Sequence, residues 1–425
     1  MNIVIVGGGT AGWLSALSLS KNHKITIIDS SIPTVGVGES TTDRLVEWLL
    51  RQGIDLQEYI KEVNGAIKLA TYHVNFSKKE YCHPFNIRDD QEFLDISTWA
   101  YTNNQPVAPL SNFYNLIVNK QVPDNLEGVA IHWQAGLVPQ YLEKLLNNKI
   151  TIIKQQVSNV KRNGNNIKSI VLDNGQEITA DYFIDCTGFH KVLVGNDDFE
   201  SWNDKGVVDS AVVWNEPFKE FCPYTILEAK EYGWCWTIHT KDRAGRGYVF
   251  DSSYINPDQA RQEVGVPDAR TIKFDVGVQK NIMKGNIVAI GLSAHFVEPM
   301  EATNIEFTIT ELDLLDKVFA SSMTVDEFNA ELYKSAHEIR TFLKLHYIDN
   351  PNSNTEFWTN QKNAKWFDKT YQKLIVENDF DYIKQNKWQW YDIFSWLCIL
   401  QGLNITPKHE IDNPALLAKY QLMSI

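Results

Sequence analysis

Short runs in which every position is apolar punctuate this chain, and between them apolar residues recur every three or four positions. Residues 2–6 read NIVIV and residues 24–29 read KITIID, and both predict strands buried on two faces. The stretch from Ala11 to about Ser20 predicts a helix between them, so the first 30 residues form one βαβ unit. Helices are expected over 42–50, 55–63 and 139–146. Strands are expected over 150–153, 156–162, 169–172 and 182–184, with Asn163–Gly164 and Asn174–Gly175 as hairpin turns. Residues 205–255 read as antiparallel strands, 286–291 (NIVAIG) as another buried strand, and 305–319 as a helix. The tail from about Thr324 is helical and rich in tryptophan, while 71–115 mixes aromatics with polar turns and has no single period.

Between the first strand and its helix lies GGGTAGW, in which Gly7, Gly9 and Gly12 make G-x-G-x-x-G. The first glycine permits the tight turn, the second lets a pyrophosphate approach the backbone, and the third lets helix pack on strand. Asp29 ends the second strand, where a carboxylate accepts ribose hydroxyls. A bare glycine turn would need neither strand, helix nor acid in these places. The motif leaves FAD and NAD open. Gly188, in the DCTG turn after a strand, and Gly291, at the end of another, speak for FAD, although each alone also fits an ordinary strand-end turn.

Composition narrows the class. The chain has 425 residues, 44% hydrophobic and 22% charged, enough to bury a sizeable core without staples. Forty basic residues against 53 acidic give −13, a field that opposes a general grip on nucleic acid. Cysteines 82, 186, 222, 235 and 398 form no CxxC pair, which argues against a disulfide framework and a zinc site. No apolar run reaches membrane-spanning length and no secretory leader precedes the first strand, so a cytoplasmic enzyme is expected.

Several segments together resemble the flavin-dependent halogenases, the tryptophan-halogenase branch in particular. They are GGGTAGW (7–13), VGVGEST (35–41), GAIKLAT (65–71), HPF (83–85), DCTGF (185–189), GRGYVFDS (245–252) and FVEPMEATN (296–304). HY at 346–347, EFW at 356–358 and W-x-x-x-L-Q-G at 396–402 extend the likeness toward the C-terminus. Two departures stand out: His239 replaces the proline of W-x-W-x-I-P, and Asn304 replaces the glycine that follows threonine. The chain is also shorter than a typical tryptophan halogenase.

The resemblance implies an α/β fold: a Rossmann-type FAD-binding body with an antiparallel sheet and a helical substrate-binding part. The expected organisation is an FAD-binding module over 1–345, interrupted by substrate-pocket insertions at about 60–130 and 205–255, then a helical segment over 346–425. It implies reduced FAD, oxygen and chloride, bromide or iodide, a separate flavin reductase, a free electron-rich aromatic such as an indole or phenol, and a homo-oligomer. Its cofactor-binding positions fall on Gly7, Gly9, Thr10, Ala11, Gly12, Asp29, Glu39, Val157, Gly188, Gly291 and Ile305.

The remaining candidates carry an ordinary reading beside the implied one. Lys68, in AIKLA, falls on the family's catalytic lysine; unaided, it reads as a snorkelling surface lysine. Buried, such an amine can donate a hydrogen bond to hypohalous acid or form a haloamine. Glu301 matches the family's carboxylate and can take the proton from the ring; a first-turn glutamate is the bland alternative, and Glu298 is the competing acid. Thr303 and Asn304, placed before a helix starting near Ile305, form a halide seat or a plain cap. His83 and Phe85 can stack on a flat ring or pack a core. Cys82 next to His83 does not make a nucleophile or metal pair, because adjacent side chains diverge. Trp234 and Trp236 share one strand face, and the tail tryptophans 388, 390 and 396 can line a pocket or pack helices. Two other functions compete: an aromatic flavin monooxygenase, which needs no Lys68, and a flavoprotein without catalysis.

Overall fold

A computed structural model describes all residues except 31–37, 203–207, 218–219, 349, 352–353, 364–371, 374–376, 378–381, 383–389, 406–411 and 425. The chain divides into two compact units, each assembled from three segments. The first comprises Met1–Gly65, Ile131–Asn203 and Phe274–Ala336; the second comprises Ala66–Ala130, Asp204–Lys273 and His337–Ile425.

The first unit is built on a six-stranded sheet in the order Met283–Lys284, Ile287–Ala289, Tyr182–Asp185, Asn2–Val6, Lys24–Ile28, Thr151–Ile153. All neighbours are parallel except Met283–Lys284, which turns back on the edge. The register aligns Val6 with Ile28 and Asp185, Ile28 with Ile153, and Asp185 with Ala289. Gly7, Asp29, Lys154, Cys186 and Ile290 therefore leave the sheet side by side at its carboxyl edge, where open α/β sheets bind their ligands. Below that edge Val4, Val6, Ile28, Ile167, Ile170, Leu172, Phe183 and Ile287 form an apolar cluster. Three antiparallel strands, Val157–Asn163, Asn166–Leu172 and Glu177–Ile178, contribute to it. Their first hairpin turns on Gly164 and Asn165, one position later than expected, because Asn163 pairs directly with Asn166.

The second unit carries a seven-stranded sheet in the order Arg270–Lys273, Ser210–Glu216, Ala244–Phe250, Gly233–His239, Tyr224–Lys230, Ala70–Val74, Tyr81–Pro84. Five of its six pairings are antiparallel, as expected for 205–255. The exception is the parallel pairing of Tyr224–Lys230 with Ala70–Val74. The stretch without clear periodicity thus supplies two strands of this sheet. It also supplies the helix Gln91–Thr102, capped by Asp90, whose side chain accepts from the Phe93 amide. All five cysteines are free and buried. Among the described residues no helix is long and apolar enough to cross a membrane.

Candidate active site

The glycine turn forms as the motif requires. A Cβ on Gly7 (φ +119°) would lie 2.2 Å from the Cys186 carbonyl oxygen, and one on Gly12 would lie 1.9 Å from the Gly7 carbonyl oxygen. Only glycine fits either place. A Cβ on Gly9 would meet nothing within 4 Å, so the middle glycine faces open space. The helix Thr10–Leu19 begins there, with the Trp13 amide bonded to the Gly9 carbonyl and no side-chain cap. Unfilled space against helix amides fits a pyrophosphate. Thr10 Oγ1 donates to Glu39 (3.4 Å), which also accepts from the Trp133 indole; burial raises the Glu39 carboxyl above its ordinary range. Ala11 is half-buried.

Asp29 sits against Gly8, where an added Cβ would lie 2.1 Å from its carboxyl carbon. Its Oδ2 accepts from Lys154 Nζ at 2.8 Å. Val157 pairs with Leu172 and packs against the cluster beneath the sheet.

Two further turns close the same edge. Gly188 (φ +64°) follows Asp185, whose buried carboxylate accepts five hydrogen bonds. Oδ1 takes the Thr187 amide (2.9 Å), the Thr187 hydroxyl (2.6 Å) and the Ser293 hydroxyl (3.1 Å), while Oδ2 takes the Leu193 (2.6 Å) and Val194 (2.9 Å) amides. The single Ser293 hydroxyl proton is shared between Asp185 Oδ1 and the Gly188 carbonyl oxygen (3.2 Å), tying the Gly188 turn to the one at Gly291. Gly291 (φ +67°) packs against Ala11, and its amide donates to Glu311 Oε2 at 2.8 Å. Burial holds the Glu311 carboxyl well above the usual range. Sequence reasoning missed Lys154, Ser293, Glu311 and Trp133. Lys154 alone had a signal, because it follows its strand as Asp29 follows the neighbouring one.

Two residues in the segment from His295 to Asn304 are backbone-strained. Glu301 and Ala302 are both left-handed, each with φ +59°, a region that costs non-glycine residues about 1–2 kcal/mol each. The following helix spans Thr303–Phe319, so it starts two residues earlier than expected, and Thr303 and Asn304 form its first turn. A left-handed residue followed by a right-handed one turns successive amides toward a common point, an anion-binding arrangement. Thr303 is not a cap: its hydroxyl is buried and has no hydrogen-bond partner among the described residues. The Asn304 Oδ1 atom is likewise buried without a partner there, and Ile305 is half-buried. Glu298 and Glu301 are 3% and 7% exposed, so burial does not separate the two acids.

In the second unit Lys68 ends the short strand Ala66–Lys68 and is 1% exposed, which excludes a surface lysine. Leu69 explains its neighbour: its amide donates to the Pro223 carbonyl (2.7 Å) and its carbonyl accepts from the Phe85 amide (2.8 Å). The register therefore sets Phe85 beside Lys68, with the ammonium 5.0 Å from the ring centroid. His83 lies opposite Thr71, buried, with its ring 6.0 Å from that of Phe342. Phe342 stacks on Tyr391 at 3.5 Å and meets Trp396 edge-on at 5.0 Å. Trp396 thus joins the cluster that includes His83. Trp390 donates its amide to Glu338, and Trp388 lies outside the described residues. Burial pushes the Cys82 thiol up to about 12, which removes it as a thiolate. Trp234 and Trp236 share a face at 6.2 Å, and Gly247 leaves the room that Trp236 occupies. His239 is buried, and desolvation and the Arg246 charge lower its pKa.

A family model described as tryptophan halogenase matches residues 2–416. The chain belongs to the tryptophan halogenase family. The tryptophan 7-halogenase RebH of Lentzea aerocolonigenes is 27% identical over 478 aligned residues, covering 95% of this chain and 90% of its own length. The tryptophan 6-halogenase SttH of Streptomyces toxytricini is 28% identical over 424 residues, covering 85% and 80%. Among solved structures, BrvH, a flavin-dependent halogenase from Brevundimonas sp. BAL3, superposes with a TM-score of 0.85 at 25% identity, covering 100% of this chain and 94% of that one. A tryptophan halogenase from Shewanella frigidimarina shares the fold at a TM-score of 0.89 and 22% identity, covering 100% and 93%. Tryptophan halogenases are flavin-dependent enzymes that use reduced FAD, oxygen and halide to give hypohalous acid and halogenate through a lysine. They take reduced flavin from a separate reductase and act on aromatic substrates.

Proposed function

We propose that this halogenase acts on a free, electron-rich aromatic molecule of indole or phenol type, with Lys68 delivering the electrophilic halogen. The observation that carries the reading is the burial of Lys68 beside Phe85, since a desolvated ammonium is a strong directed donor. FAD, when bound, would supply the reducing equivalents for oxygen. Gly7, Gly9, Thr10, Ala11, Gly12, Asp29, Glu39, Val157, Gly188, Gly291 and Ile305 would hold it. The Thr303 and Asn304 amides, with the buried Thr303 hydroxyl, would seat the halide. Lys68 donates a hydrogen bond to the oxygen of hypohalous acid. The ring's electron pair then attacks the halogen, the oxygen–halogen bond breaks, and the oxygen leaves as water with the ammonium's proton. Glu301 takes the proton released from the ring carbon. His83 and Phe85 stack on the ring.

The test is a mass-spectrometric assay with FAD, a flavin reductase, NADH, oxygen and each halide against a panel of indoles and phenols. Catalase and a free-oxidant scavenger serve as controls. A halogen mass shift that Lys68→Ala abolishes supports the reading. Equal halogenation by both proteins would remove the lysine role, and a hydroxyl shift would favour the monooxygenase.

A further inference from the structure

The geometry points to Lys154 as a positioning residue that reads the adenosine ribose of FAD together with Asp29. This rests on Asp29 being the ribose acid. Lys154 leaves its strand at the same level as Asp29, because Ile28 pairs with Ile153 and the Asp29 amide donates to the Ile153 carbonyl at 2.9 Å. Its Nζ donates to Asp29 Oδ2 at 2.8 Å and to Glu143 Oε2 at 2.8 Å. The indole of Trp13, the residue after Gly12, lies 6.0 Å away. One ammonium therefore links the end of the second strand, the first turn after the glycines and the helix Leu137–Leu146.

An ammonium has three N–H donors, and these two bonds use two of them. The side chain is 43% exposed, so its head reaches the solvent side of the sheet edge, whereas the Asp29 side chain is only 12% exposed. A ribose cis-diol offers both hydroxyl donors and oxygen acceptors. Asp29, an acceptor only, can satisfy the donors, and the third N–H of Lys154 can satisfy an acceptor. The ion pair also holds the Asp29 carboxylate in one orientation at the sheet edge. The two carboxylates together raise the Lys154 pKa against the opposing effect of burial, which keeps the ammonium charged across the working range.

The discriminating ligand is FMN, which has no adenosine. FAD and FMN are titrated by flavin fluorescence into the wild type, Lys154→Met, Asp29→Asn and the double variant, with thermal melts of each apo-protein. Lys154→Met should weaken FAD binding about tenfold, equivalent to ~1.4 kcal/mol, and leave FMN binding unchanged. Lys154→Arg should restore most of the loss. The double variant should bind FAD no more weakly than Asp29→Asn by more than about twofold, because the two residues act as a unit. Unchanged FAD binding in Lys154→Met or in Asp29→Asn overturns the assignment. So does an equal loss of FAD and FMN binding with a lowered melting temperature, which would make the lysine a structural strap. None of these measurements needs halide or turnover, so they are independent of the outcome of the halogenation assay.

Discussion

Two helices of the first unit start at a turn aimed at chemistry, and they build it from opposite materials. Thr10–Leu19 starts at Gly7–Gly9, where glycine removes the steric conflict and the backbone approaches open space. Thr303–Phe319 starts at Glu301–Ala302, where two non-glycine residues hold left-handed angles. Glycine would relieve that strain but would delete the Glu301 carboxylate. The first turn needs only backbone, so it can be made of glycine. The second needs a side chain at a strained position, and the packing around it must hold it there. His295 is part of that support: its ring lies against Phe307 at a 30° tilt with centroids 3.5 Å apart, and its Nδ1 lies 3.6 Å from Glu311 Oε1.

The sharpest break of this comparison is Gly12→Ala. Its Cβ has no room beside the Gly7 carbonyl, so the glycine turn should fail and the purified protein should carry no FAD, as read by its absorption spectrum. Acid should instead strike the second turn. Burial pushes the His295 imidazole down to about 3 from an unfolded value of 6.5. A depressed pKa gives stability that is fully present above pH 6.5 and is lost as pH falls toward 3, several kcal/mol in all at ~1.4 kcal/mol per unit. Glu311 has the opposite sign: its raised pKa erodes stability as pH rises. Between about pH 6.5 and 4.5 the two slopes oppose each other, so chemical denaturation should show little change for the wild type there and a loss only below pH 4.5, whereas His295→Phe should gain stability as pH falls from 6.5 to 4.5.

Glu301→Gln should lower kcat on the order of 100-fold, the scale of a lost general base. The melting temperature should hardly change, since Gln keeps the same backbone and volume. Ala302→Gly sharpens the comparison from the stability side. Relief of the left-handed angle outweighs the added chain entropy, so unfolding should become harder by roughly 0.5–1 kcal/mol. The smallest effect is expected for Thr303→Val. Removing a buried hydroxyl with no partner among the described residues should leave stability equal or slightly raised, while the KM for halide rises several-fold. An unchanged halide KM would separate Thr303 from the seat.

Much of the first unit was legible because its signals are local. A buried strand, a glycine turn and an acid at the next strand end are neighbours in sequence as well as in space. Lys68 was legible only by its likeness to a family, because nothing in AIKLA says that the ammonium is covered. Its burial follows from pairing among three distant stretches at Leu69, Phe85 and Pro223. The start of the long helix was misplaced by two residues because Glu301 and Ala302 adopt angles their residue types disfavour. Such angles exist only where surrounding contacts impose them.

The sequence by itself determined the parallel sheet, the glycine turn and the acid that ends the second strand, since apolar runs and missing side chains act within a few residues. The tertiary structure alone decided which charges are buried and which partners hold them. Asp185 collects five donors, Glu311 takes one amide and Lys154 joins Asp29 only once strand register has set them side by side. Desolvation and hydrogen-bond geometry depend on what surrounds a group, and for these residues the surroundings come from far along the chain.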